Sequence, residues 1–155
     1  MTLRSLLIGR KYTSLRIVWI ALIATVVVSV PIVLRADTVF PGLRWYLWGG
    51  LLAFTLGSAG YAGRNDCGLL GGWLAVFLAV LWIYVVTPLT AYLQGDGIGE
   101  REYAVPRPSV VRVDPYTELL FGLRYGPILA VLAALTFGSM AFVLGKHTRR
   151  VSPTD

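Results

Sequence analysis

The sequence predicts an all-α integral membrane protein with four transmembrane helices, arranged as two tandem helical hairpins. Three observations carry that expectation. Four long apolar segments each end at charged residues: Arg16 and Arg35, Arg44 and Arg64, Asp66 and Asp96, Arg124 and Lys146. A bilayer core about 30 Å thick takes about 20 apolar helical residues to cross. The first, second and fourth segments match that length and the third exceeds it. The composition agrees, with 56% hydrophobic and 14% charged residues in a chain of 155. Soluble domains carry about 25% charged residues. Finally, short motifs recur between the second and fourth segments, which is the signature of paired hairpins.

The first span is expected at 17–34. Its basic approach (Arg4, Arg10, Lys11, Arg16) resembles the start of a signal peptide. The apolar stretch is longer than a signal core, however, and no small-x-small cleavage site follows it. A retained helix is therefore expected. The second span is expected at 45–63 and the third at 69–93, joined by a tight turn over Asn65, Asp66, Cys67 and Gly68. In lipid every backbone amide needs an internal partner, so each span is helical. Pro31 and Pro88 should kink or end their helices, since proline lacks the donor for the preceding turn.

An outer loop is expected at 94–114. It opens on Gly95, Asp96, Gly97, Ile98 and Gly99, a flexible run, and continues through Val105-Pro106-Arg107-Pro108, where residues before proline favour extended backbone. Val110, Val111 and Val113 have the makings of a short strand. Asp114-Pro115 is a helix start, with an acid at the cap and proline in the first turn. The fourth span, at 125–145, should thus begin as helix about two turns above the bilayer. With short tails at 1–16 and 146–155, the chain reads as one membrane domain over 1–155.

Orientation follows the Lys and Arg count on either side. Eight fall on the side of the termini and six on the other. Both termini are expected in the cytoplasm, with the protein multi-pass in the cell membrane.

The repeat rests on Gly42-Leu43-Arg44-Trp45 against Gly122-Leu123-Arg124-Tyr125, and on Thr55-Leu56-Gly57-Ser58 against Thr136-Phe137-Gly138-Ser139. Gly49, Ala53 and Gly57 then align with Ala130, Ala134 and Gly138, each trio on one helical face. Helices in lipid associate through close backbone approach. The second and fourth spans are therefore expected to cross along these six residues.

Candidate functional residues are few. Arg44 and Arg124 each precede an aromatic residue, Trp45 and Tyr125. These read as interfacial anchors, or as a paired site for an anion or lipid headgroup, because the guanidinium fork suits phosphate. Glu118 is a candidate partner for Arg124, Arg112 or Arg44. The apolar interiors contain no Asp, Glu, Lys, Arg or His, unlike proton and ion pathways. The single cysteine, Cys67, and single histidine, His147, exclude an internal disulfide and cannot make a zinc site. No metal or cofactor is expected. The net charge of +6 gathers at span ends, which indicates the lipid bilayer rather than nucleic acid as partner.

The leading functional expectation is a non-enzymatic structural or accessory subunit, or a homo-oligomer. One alternative is an oligomeric transporter or channel for a neutral or lipidic solute, with Thr25, Ser29, Tyr84 and Thr87 as polar lining. Another is a lipid- or anion-binding protein or membrane enzyme at the outer leaflet.

Overall fold

The computed structural model describes residues 11–40, 42–96 and 114–151. All regular structure among them is helical: α1 (Lys11–Val33), α2 (Ala36–Val39), α3 (Leu43–Arg64), α4 (Leu69–Leu93), α5 (Pro115–Ala133) and α6 (Ser139–Val151). A π-helical segment, Ala134–Gly138, joins α5 to α6 in one long rod. Three stretches, Ser14–Val33, Leu69–Leu93 and Pro115–Thr148, are long and apolar enough to cross a membrane. Helix α3 is shorter and less apolar and does not reach the same measure. The expected strand over Val110–Val113 lies outside the described residues.

The local chemistry sets the ends of these helices. Asp114 caps α5 by accepting from the Thr117 backbone N–H at 3.1 Å, and Pro115 occupies the first turn, where its missing donor costs nothing. Gly42 and Gly68, at φ +85° and +89°, turn the chain into α3 and α4. Neither Pro31 nor Pro88 ends its helix: α1 runs two residues past the first and α4 five past the second.

Helix α4 is the hub. It packs against α1, α3 and the α5–α6 rod, while α3 also packs along α6. Nearly half of the buried residues of α4 are glycine or alanine: Gly71, Gly72, Ala75, Ala79 and Ala91. A ring of small residues lets three neighbours approach one axis closely. One end of the bundle gathers Ser14, Ala59, Gly71 and Gly145. The far end gathers Arg35, Gln94 and the Tyr92–Tyr116 ring pair.

The expected crossing of the second and fourth spans is corrected here. Gly49, Ala53 and Gly57 are exposed, and a Cβ added at either glycine would meet nothing within 4 Å. Ala130, Ala134 and Gly138 are buried, but against α4: Gly138 lies on Trp73 and Val76. The real α3–α6 crossing lies one to two turns further along. A Cβ on Gly63 would fall 2.0 Å from the Phe142 carbonyl oxygen, and one on Gly145 would fall 1.9 Å from that of Gly60. Each glycine thus points an α-hydrogen at the other helix's carbonyl, a reciprocal pair of weak Cα–H···O contacts. The sequence pattern failed because a four-residue stripe recurs along both faces of α3, and only depth selects the one that meets α6.

The twofold expected of tandem hairpins is also missing from the packing. Helix α3 lies along α4, but α1 makes no matching contact along α5 or α6 among the described residues.

Period-four stripes drift against the 3.6-residue turn. On the rod, Glu118, Gly122, Gly126, Ala130, Ala134 and Gly138 are all buried. The wider π turn takes up part of that drift and returns Gly138 to α4. The Thr136 hydroxyl donates to the Leu132 carbonyl at 2.7 Å, providing that oxygen with a partner where the helical ladder changes step.

Candidate functional site

Polar groups among the described residues gather at the far end of the bundle and at two interhelical bridges. At the far end, Arg35 takes a left-handed backbone conformation (φ +58°) in the turn between α1 and α2. Its guanidinium forms an ion pair with Asp96 and donates from Nε to Gln94 Oε1 at 3.0 Å. The Gln94 amide donates in turn to the Val33 carbonyl at 3.0 Å. This clamp ties the end of α1 to the end of α4. The Asp96 side chain is buried and that of Arg35 is half exposed, so the ion pair is part-screened and its main effect is positional.

The two bridges join tryptophan on α4 to serine. Trp82 Nε1 donates to Ser29 Oγ on α1, and Trp73 Nε1 donates to Ser139 Oγ on α6 at 2.9 Å. Ser29 and Thr25 also donate to carbonyls four residues back, at 2.8 and 2.7 Å. Of the polar groups expected to line a pathway, Thr25 and Ser29 are therefore engaged inside α1 or across to α4.

Among the described residues, two buried donors have no hydrogen-bond partner, Trp48 Nε1 on α3 and Thr87 Oγ1 on α4. The nearest proline frees a carbonyl as well, since Pro88 has no N–H for Tyr84. Thr87 does not compensate for it. Gly122 does: a Cβ there would sit 2.3 Å from the Tyr84 oxygen, so an α-hydrogen of Gly122 fills that place.

The expected anion site is only partly assembled. Trp45 and Tyr46 are exposed on α3, and the Arg44 side chain lies outside the described residues. Arg124 is exposed on α5, its guanidinium carbon 5.5 Å from the Tyr125 ring centre. Tyr125 stacks on Phe121 at 6.0 Å. Glu118 is buried on the face that meets α4, six residues from Arg124 and turned away from it. The expected Glu118–Arg124 pairing is thereby corrected: residues three or four apart share a helix face, residues six apart do not. Helices α3 and α5 do not pack along one another among the described residues.

Cys67 is buried at the turn between α3 and α4, its thiol 3.6 Å from the Asn65 carbonyl. Among the described residues, no three His, Cys, Asp or Glu side chains come together as metal ligands. Asp114 holds its carboxyl below the ordinary aspartate value of 3.8, because the Thr117 side chain and backbone N–H bond to its charged form.

No protein-family model matches this chain, and neither a curated protein nor a solved structure matches it.

Sequence reasoning missed the Gly60, Gly63 and Gly145 crossing and both tryptophan–serine bridges. The glycines were visible as a second small-residue spacing, one turn beyond Gly57. The bridges left no local signal, since each joins positions more than fifty residues apart.

Proposed function

We propose that the chain is a non-enzymatic protein of the cell membrane that crosses the bilayer four times, with both termini in the cytoplasm. Its role is that of a structural or accessory subunit, or of a homo-oligomer. The observation that carries this reading is the outward face of α3. Gly49, Gly50, Ala53 and Gly57 lie exposed along it, on the one long helix that falls short in apolar character. Such a face offers lipid tails little surface, yet suits the close approach of another helix. A membrane crossing for α3 is then completed by a protein neighbour.

The transporter reading finds less support, because the Thr25 and Ser29 hydroxyls donate to carbonyls of their own helix and Ser29 also accepts from Trp82. Native mass spectrometry of the protein, extracted mildly from its own membranes, tests the proposal. A stoichiometric foreign chain supports the accessory role, and a defined homo-oligomer supports self-assembly. A monomer, with Gly57→Leu behaving as wild type, would refute both.

A further inference from the structure

Arg124 sits at an unexpected depth. Gly122 abuts Tyr84, and Gly126 abuts Tyr84 and Leu81, so Arg124 lies level with that stretch of α4. Nine residues separate Tyr84 from the far end of α4 at Leu93, about 14 Å at 1.5 Å per residue. Twelve residues separate Leu81 from the other end at Leu69, about 18 Å by the same rise. Among the described residues, Arg124 is the side chain charged at neutral pH that lies nearest the middle of the bundle. It faces outward, beside the exposed Leu123, Tyr125 and Ile128. It forms no ion pair with any described residue, and its one ring contact is Tyr125.

A guanidinium facing hydrocarbon at this depth is costly, and in membrane proteins such groups are paired. A lipid phosphate is a poor match. An extended arginine reaches about 7 Å from its Cα on standard bond lengths, about half the distance to the end of α4. A carboxylate on a neighbouring helix lies at the required depth and accepts the guanidinium fork in two parallel hydrogen bonds. A second copy of this chain does not supply it, because no acidic side chain faces outward at this height among the described residues.

We propose that the α5 face around Arg124 docks a membrane-spanning helix of a different protein that carries a carboxylate at mid-span. This rests on the membrane reading and selects the accessory role within it.

The test uses the full chain in phosphatidylcholine vesicles at mildly alkaline pH, labelled at His147→Cys in a Cys67→Ala background. The probes are two synthetic leucine–alanine spanning helices, one with a central glutamate and one with a central glutamine, and association is read by energy transfer. The glutamate helix should bind roughly tenfold more tightly than the glutamine helix, as a charged hydrogen bond implies. Arg124→Leu should erase that preference and Arg124→Lys should retain part of it.

Equal binding of the two helices, or a preference that survives Arg124→Leu, overturns the proposal. Loss of the preference on adding phosphatidylglycerol also overturns it, by assigning Arg124 to lipid phosphate. A homo-oligomer in native mass spectrometry alongside an intact preference would sink the accessory reading while leaving the docking face standing.

Discussion

Single atoms decide several positions in this protein. At Gly63 and Gly145 an added methyl group would run into backbone carbonyls of the facing helix. Backbone cannot step aside as a side chain can, so Gly63→Ala and Gly145→Ala should each lower stability by about 1–3 kcal/mol. Gly57→Ala has open space and should be neutral, or gain up to about 1 kcal/mol from helix propensity. Unfolding of the three variants in mixed micelles separates these cases, and equal effects would refute the crossing. The tryptophans divide likewise. Trp73→Phe and Trp82→Phe each lose a bridge to serine, at about 0.6 kcal/mol apiece, whereas Trp48→Phe gives up an N–H that has no partner among the described residues and should cost less than either. Asp114 adds a pH dependence. Its folded pKa is depressed, so its cap stabilises α5 above the ordinary aspartate value and is lost as pH falls through the folded one. Hydrogen exchange in the first turn of α5 should therefore quicken in acid, and Asp114→Ala should remove that pH dependence.

The helices themselves were largely legible in the sequence, but their faces were not. Length and hydropathy located α4 at 69–93, and the Asp114-Pro115 pair located the start of α5. Both signals are local, which is why they survive without tertiary information. The small-residue stripe gave the wrong face of α3, because spacing reports that two helices are able to approach without reporting at what depth they meet. Depth depends on the tilt of the rod and on its π turn, which no local pattern announces. That turn supplies its own test. Deleting Leu135 removes the extra residue that the widened turn holds, so the rod becomes regular α-helix and α6 turns only slightly relative to α5. Gly145 then stays near Gly60, and the variant should unfold less readily than Gly145→Ala. Thr136→Ala, which removes only the hydroxyl bonded to Leu132, should have a far smaller effect.

For the whole molecule, the four-crossing reading makes a simple geometric prediction. In a Cys67→Ala background, single cysteines at Asn65 and His147 should resist an impermeant thiol reagent applied to intact cells. Cysteines at Arg35 and Tyr46 should react. Labelling of all four from one side would show that α3 does not cross. The candidate site was the least legible part of the chain. Arg44 and Arg124 look equivalent by their neighbours, and only the packing of α5 on Tyr84 carries Arg124 toward the middle.

The hub position of α4 also sets an order of events in time. The ribosome delivers α1, α3 and α4 before the rod exists, and Trp82 can find Ser29 as soon as α4 has entered the bilayer. The contact between Gly60 and Gly145 joins residues on either side of almost the whole second half of the chain, so it closes last. On the four-crossing reading, a nascent chain paused after α4 holds a three-helix intermediate with Gly60 and Gly63 open toward lipid. During that interval another protein's helix has access to the groove that α6 will later occupy.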